Sequence, residues 1–269
     1  MNSEDSREIW DRVWLGHEMA RIKKLSEAEF KSSRFRLLQS VLKEKFGSLQ
    51  GLKVIEIGSG MGTNCLALSL LGVEPTLFDY SPVALRKAEM LFQSYGVKPG
   101  LINGDIFDSH DDLEGKFDVA MSFGLAEHFS GDTRSEAIKA HLNLVRKGGI
   151  IIVSVPNRFC PSYRIFMGLF KLLRQWRLGI EIPFSRRELE QIASKLDATD
   201  IRVYGTNFCV SIDHHILFFL RYPLQKARLP VPFTWFPDIR LPFLDHHFGY
   251  ALLLFAEKGL KDNEKRRKE

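Results

Sequence analysis

The sequence predicts an α/β fold with a parallel sheet covered by helices on both faces, and two observations carry that reading. An apolar run, Val54-Ile55-Glu56-Ile57, ends in glycines at alternate positions, Gly58, Gly60 and Gly62. It then passes into the helical stretch Cys65-Leu66-Ala67-Leu68-Ser69-Leu70-Leu71, closed by Gly72. Beyond it, short apolar strands alternate with capped helices at the spacing of right-handed βαβ crossovers.

In chain order, Ile9, Trp10, Val13, Trp14 and Ile22 fall mostly at helical spacing, with Asp5 and Glu8 placed as a capping pair, so a helix is expected over 5–24. The two tryptophans read as core packing. Ser26 with Glu29 repeats the capping signal, and a second helix is expected to run to Phe46 with Gly47 as its stop. After the glycine turn, Pro75-Thr76-Leu77-Phe78-Asp79 reads as a second strand. Ser81 then reads as an N-cap with Pro82 at the first helical position, and that helix stops at Gly96. Leu101-Ile102-Asn103 leads into the turn Gly104-Asp105-Ile106, and Phe117-Asp118-Val119-Ala120-Met121-Ser122 is a fourth strand. A helix capped near Asp132 or Thr133 should end at Lys147-Gly148-Gly149, before the most apolar strand, Ile150-Ile151-Ile152-Val153-Ser154-Val155. Ser185 and Glu188 cap a helix through Leu196. Ile201-Arg202-Val203-Tyr204 and Tyr250-Ala251-Leu252-Leu253-Leu254-Phe255 are the sixth and seventh strands.

This divides the chain into an N-terminal helical cap (1–48), a main domain (49–258) and a basic tail (259–269). Two segments, 158–184 and 207–247, stand outside the alternation as insertions. The formal charge of +5 is a weak footprint for nucleic acid, because residues 261–269 alone carry five Lys/Arg against three Asp/Glu. That tail reads as solvated and disordered. Cys65, Cys160 and Cys209 are too widely spaced for a disulfide framework or a zinc site and fit a reducing compartment. The opening residues lack the basic-then-apolar order of a signal peptide, and no apolar run approaches the roughly eighteen residues of a membrane span. The expectation is a cytoplasmic protein, with peripheral membrane contact left open.

Three consecutive strands end in groups suited to a nucleoside. The glycine turn allows close backbone approach and opens a helix, with Thr63 where a dinucleotide fingerprint has its third glycine. Asp79 can accept both hydroxyls of a ribose. Gly104-Asp105-Ile106 offers an acceptor and an apolar residue to flank an adenine. With these motifs, with Phe117-Asp118-Val119 and Glu127-His128, and with Gly148-Gly149 before Val155-Pro156-Asn157, the chain resembles the class I S-adenosylmethionine-dependent methyltransferases, in particular their small-molecule branch of ubiquinone- and menaquinone-pathway enzymes. The resemblance covers 52–157, 185–206 and the final strand.

It implies a Rossmann-like, seven-stranded, mostly parallel sheet with the last strand antiparallel, and S-adenosylmethionine as cofactor. It places Glu56 with the Gly58, Ser59 and Gly60 turn around the methionine moiety, Asp79 and Tyr80 at the ribose, Asp105 and Ile106 at the adenine, and Phe123 just past the fourth strand. Glu127 and His128 are the candidate catalytic residues, since they follow the strand toward which the transferred methyl should point. Arg34 or Arg36 could reach the cofactor carboxylate, with surface solvation as the plainer fate of either. The metal-assisted members carry a further glutamate three positions before the Glu-His pair. Gly124 stands there, so no metal is expected. Arsenite methylation, suggested by Cys65, lacks its thiol in the final strand.

The N-terminal helices and the two insertions should form the lid over the substrate. In 158–184, Ile165, Phe166, Leu169, Phe170, Leu173 and Trp176 share one side of a helix, while Arg164, Lys171, Arg174 and Arg177 lie largely elsewhere. Such a helix either docks on its own domain or meets a membrane or hydrophobic substrate. The segment 207–247 is rich in aromatics (Phe208, Phe218, Phe219, Tyr222, Phe233, Trp235, Phe236, Phe243) and bounded by Asp213-His214-His215 and Asp245-His246-His247. Those triplets read chiefly as structural, with Asp213 as an N-cap for 216–222. The expected function is methyl transfer to a small, hydrophobic or lipid-like acceptor at oxygen, nitrogen or carbon. The rival is a cofactor-binding regulatory or partner subunit without turnover. A nicotinamide dehydrogenase is disfavoured by Thr63, and a nucleic-acid methyltransferase by Ser122-Phe123-Gly124-Leu125 after the fourth strand.

Overall fold

The computed structural model describes residues 3–176, 179–215 and 238–259, together with positions 217, 219, 224, 226 and 227. Seven strands form one sheet: β1 (Lys53–Ile57), β2 (Glu74–Asp79), β3 (Gly100–Asn103), β4 (Phe117–Phe123), β5 (Val145–Pro156), β6 (Ala198–Thr206) and β7 (Ala251–Lys258). Their order is β3-β2-β1-β4-β5-β7-β6. The first five strands run parallel, and β7 lies antiparallel between β5 and β6. The order reverses between β1 and β4, so a crevice opens beyond their carboxyl ends, where ligands of open α/β sheets bind.

The described helices are α1 (Ser3–Leu15), α2 (Met19–Phe30), α3 (Ser33–Phe46), α4 (Thr63–Ser69), α5 (Pro82–Gln93), α6 (Thr133–Leu144), α7 (Pro161–Leu172), α8 (Arg186–Lys195), α9 (Phe208–His215) and α10 (Pro242–Phe248), with a 3₁₀ turn at Ala126–His128. Side chains of successive strand residues point to opposite faces, and both faces are buried. Val54, Leu77, Met121, Ile152 and Leu253 join Leu38, Leu42, Leu66 and Leu91 on one face. Ile55, Ile57, Phe78, Ile151 and Leu254 join Ile138, Leu142 and Leu189 on the other. This two-sided burial is why the strands read as continuous apolar runs.

Several boundaries differ from the sequence reading, each for a local reason. Three helices, not two, precede β1. Gly16 and His17 break the first, and Ser26 sits inside α2 with its hydroxyl donating to the Ile22 carbonyl (3.0 Å). The actual cap is Ser32, which accepts the Phe35 N–H (2.9 Å). Helix α6 stops at Leu144, and β5 begins at Val145, ahead of the Gly148-Gly149 pair; the register of the β4–β5 pairing shifts between Phe117 and Val119. Helix α7 ends at Leu172, because Leu173 is its C-cap and Arg174 takes the left-handed region at φ 55°. It docks on its own domain through Tyr163 and Phe166, whose rings lie 5.4 and 5.2 Å from that of His215 in α9, while Ile165 and Leu172 stay exposed. Asp213 lies within α9 and so is not at a helix N-cap. The readings placed on 216, 218, 222, 233, 235, 236, on Arg177 and Asp5, and on the tail 260–269 fall on side chains or residues outside those described.

The Asp-His-His triplet at 245–247 is resolved by its aspartate. Asp245, 1 % exposed, accepts the N–H of Phe208 (2.9 Å) at the start of α9 and that of Leu241 (2.7 Å) at the start of α10. It therefore clamps two helix starts together, while His246 and His247 lie exposed on the outer surface. Among the described residues no group of His, Cys, Asp and Glu has the arrangement to hold a metal ion. Asp245→Ala strands both amides, each worth about 1–3 kcal/mol if left unpaired. The expected outcome is a loss of about 2–6 kcal/mol of stability, read as a lowered urea midpoint, with Asp245→Asn recovering part of the loss.

Candidate active site

A cavity of about 770 Å³ lies over the carboxyl ends of β1, β2, β4 and β5, roofed by α1. Its floor is the turn between β1 and α4, where Gly58, Gly60 and Gly62 take φ of 58°, 52° and 61°. At Gly60 the need for glycine is also steric, because a Cβ there would sit 2.5 Å from the Trp14 ring.

Two buried acids hold the turn. Asp79, 4 % exposed at the end of β2, accepts the Gly60 N–H through Oδ2 and the Ser81 N–H through Oδ1, both at 2.8 Å. Burial raises its pKa, and the two amides pull it back down. Glu56, 3 % exposed, accepts the Cys65 N–H (2.9 Å) through one oxygen. Burial pushes its carboxyl up to about 8 against the opposing pull of that amide and of Arg34. Beside it, Ser59 Oγ and Asn64 Oδ1 are buried on the cavity wall without a partner among the described residues. A buried polar atom left unpaired costs free energy, so these atoms mark where a polar ligand completes the wall.

The other predicted residues gather around the same space. Tyr80, Asp105, Ile106 and Phe123 all line it. Asp105 shapes its own turn by accepting the Phe107 N–H (3.1 Å). The Arg34 guanidinium stands over the Phe123 ring (5.1 Å), pairs with Glu29 (2.9 Å) and faces the cavity, whereas Arg36 is exposed and donates to the Lys31 carbonyl. Arg34 is thus the one of the two that can meet an anion in the site. Cys65 is fully buried and its thiol is pushed up by burial and by Glu56, so it is unsuited to bind a thiophilic substrate.

Glu127 and His128 sit side by side in the 3₁₀ turn after β4. Glu127 is 3 % exposed, its Oε2 has no partner among the described residues, and burial pushes its carboxyl up to about 8, helped by the nearby Glu181. The His128 ring meets the Ile180 carbonyl at Nδ1 (2.8 Å). A carbonyl can only accept, so Nδ1 of the ring carries a proton.

Sequence reasoning put the N-terminal helices in the lid but missed which of their side chains face the site. Trp10 and Trp14, read as core, line the cavity; Trp10 packs edge-on against His128 (5.1 Å). Helix α1 is fastened to α5 by Lys87, whose ammonium donates to the carbonyls of Trp14 (2.7 Å), Leu15 (3.1 Å) and His17 (2.7 Å), satisfying groups a helix end leaves open. The Ser81 hydroxyl adds a bond to Asp11. Tyr250, just before β7, and Phe129 were also missed. The tryptophans' spacing of four carried a signal of one shared face, but not of what that face meets.

With this geometry in place, comparison with known proteins is informative. A family model described as a methyltransferase domain matches residues 30–203. The ubiquinone biosynthesis O-methyltransferase of Vibrio parahaemolyticus is 26 % identical over 169 residues, 61 % of this chain and 71 % of that protein. The enzyme of the same name from Alkalilimnicola ehrlichii is 28 % identical over 117 residues, 44 % of this chain and 47 % of that one. Apart from the Vibrio parahaemolyticus protein, the chain spans about half the length of such curated relatives. Among solved structures, magnesium protoporphyrin IX methyltransferase of Synechocystis PCC 6803, with bound S-adenosylhomocysteine, shares the fold at TM-score 0.56 and 16 % identity, covering 94 % of each chain. A methyltransferase of Thermotoga maritima does so at 0.59 and 17 %, covering 94 % of this chain and 99 % of that one.

The buried acids make stability depend on pH. An acid whose pKa is raised in the folded state binds its proton there while the unfolded chain has released it. Stability therefore falls as pH rises from about 4.5 to about 8, by up to about 1.4 kcal/mol per pH unit for each group. The ligand-free protein should lose thermal midpoint between pH 5 and 8, and Glu127→Gln should show a visibly flatter decline in the same scans.

Proposed function

The chain belongs to the methyltransferase domain family, and from that premise we propose that it transfers a methyl group from S-adenosylmethionine to a small, largely hydrophobic acceptor. The observation that carries the reading is one cavity lined by Glu56, Asp79 and Asp105 at successive strand ends, with unpaired Ser59 and Asn64 atoms on its wall and aromatic rings above. Glu56 and Asn64 Oδ1 suit an ammonium, and Arg34 suits the carboxylate of the same amino acid. The Gly58-Ser59-Gly60 turn fits close against the chain joining them. Asp79 keeps lone pairs for two ribose hydroxyls, with Tyr80 alongside, and Asp105, Ile106 and Phe123 border the space for adenine.

The bound cofactor supplies a methyl group already activated by its sulfonium. What this chain's residues contribute is alignment and dryness. Holding two reactants in line can be worth roughly 7–11 kcal/mol, and Trp10, Trp14 and Phe129 close the roof against water. Where the acceptor must lose a proton, Glu127 receives it and His128, half-exposed beside it, offers a path to solvent. The name shared by the curated relatives favours an oxygen acceptor. Peripheral membrane contact belongs to the same reading, since α7 exposes Ile165 and Leu172 near Arg164 and Arg174. No described helix is long and apolar enough to cross a membrane.

The test is incubation with methyl-labelled S-adenosylmethionine and alkylated phenols and catechols. Label should appear in organic-extractable product, and label confined to water-soluble product would overturn the hydrophobic part of the reading. Asp79→Ala should weaken S-adenosylhomocysteine binding at least about tenfold by calorimetry, given about 1.5–3 kcal/mol for each charged hydrogen bond. Glu127→Gln should lower kcat by about 10²–10⁴ while leaving that affinity within about threefold.

A further inference from the structure

Segment 179–184, at the end of the first insertion, is stitched to the Glu127-His128 turn. The Ile182 N–H donates to the Glu127 carbonyl (2.8 Å), and the Ile180 carbonyl accepts from the His128 ring (2.8 Å). The Phe184 N–H donates to the Pro156 carbonyl (2.9 Å) and Arg134 Nη1 to the Ile182 carbonyl (2.9 Å). Hydrogen bonds on both sides of residue 181 thus fix Glu181 near Glu127. Glu181 is 8 % exposed and accepts a hydrogen bond from the hydroxyl of Tyr163, a buried residue of α7. Burial and the neighbouring Glu181 push the pKa of that phenol well up, so it stays a donor. Tyr250, beside the same acids and on the cavity wall, is held neutral in the same way.

Folding does not account for this pair. The neighbouring Glu181 adds to the rise in the proton affinity of Glu127, and the nearby cation, Arg134, is engaged by Glu188 (2.9 Å) and stacked on Phe184 (3.4 Å). The groups facing Glu127 are Glu181 from the insertion, Arg134 from α6, and Tyr163 and Tyr250. Glu127 alone of the two acids lines the cavity, with Oε2 unpaired among the described residues. One carboxyl backed by a fixed phenol and the other open to the reacting space is the arrangement of a holder for a hydrogen-bond donor.

We propose that Glu127, set in place by Glu181 and Tyr163, forms a subsite that grips an O–H or N–H of the methyl acceptor, so that methylation falls on a protic heteroatom and not on carbon. Glu181 and Tyr163 are positioning residues. The inference rests on the methyltransferase reading and narrows it. In the step it implies, a lone pair of the acceptor heteroatom forms the new bond to the methyl carbon. The carbon–sulfur bond breaks with its electrons passing to sulfur, and the heteroatom's proton goes to the Glu127 carboxylate.

The test measures binding in the S-adenosylhomocysteine complex, using 4-butylphenol and 4-butylaniline against their methyl-capped twins, 4-butylanisole and N,N-dimethyl-4-butylaniline. Donor-bearing probes should bind at least about tenfold more tightly than the capped ones, and the better arm tells oxygen from nitrogen. Glu127→Gln and Glu181→Gln should each erode that preference several-fold while S-adenosylhomocysteine affinity holds. A merely structural role for Glu181 would instead weaken all probes alike. Equal affinity for capped and uncapped probes, or no saturable binding by either donor up to millimolar concentration, overturns the subsite. S-adenosylhomocysteine formation from the true donor is followed separately. Donor preference without turnover upholds the subsite and sinks the enzyme reading, whereas turnover without donor preference does the reverse.

Discussion

The structure depends most on the Asp79 carboxylate at the end of β2. Its two oxygens hold the amides of Gly60 and Ser81, and so fix the turn after β1 against the turn after β2. Hydrogen bonds to a charged group are worth about 1.5–3 kcal/mol each, enough to keep a run of left-handed glycines in one shape. Other parts hang on that shape. Trp14 packs into the space that only glycine leaves open at residue 60, and Asp11 bonds the same Ser81 whose amide Asp79 holds. One buried acid therefore positions both the floor of the cavity and the helix that roofs it.

A second group of buried acids follows a different logic. Glu56 and Glu127 lie in the wall where desolvation favours their neutral forms, and among the described residues neither is held in a close ion pair with a cation. Such groups weaken the folded state at neutral pH, and perturbed acids of this kind concentrate at functional sites. The places where the chain accepts this cost coincide with the cavity. Asp245, Asp238 and Asp118, by contrast, have their oxygens on backbone amides, hydroxyls or a guanidinium and act as clamps.

The insertions divide the same way. Helix α7 and α9 bury Ser162, Ser211 and His215 in one polar cluster, with bonds of 2.9 Å between the serines and 3.2 Å from Ser162 to the ring. Burial lowers the pKa of His215 to about 4, which keeps the ring neutral there. That cluster fastens the first insertion to the second, and the extended segment 180–184 then runs back to the reacting space. A lid fixed in this manner brings residues to the site by backbone pairing rather than by side-chain packing.

The sequence by itself determined the sheet, its alternation with helices and the strand-end acids, because strand burial and turn chemistry are local and leave periodic traces. Glu56, Asp79, Asp105, Ile106, Tyr80 and Phe123 were legible for that reason, as was the Ser185-Glu188 capping box. Boundaries failed where a hydroxyl could serve either of two turns, as with Ser26 and Ser32. Only the tertiary structure decided that Trp10 and Trp14 roof the cavity, that Lys87 caps α1 across 70 residues or more, and that Glu181 stands beside Glu127. Those contacts join segments whose separation in sequence carries no period. Closing such loops costs entropy that depends on length and not on residue type, so nothing in the local pattern announces them.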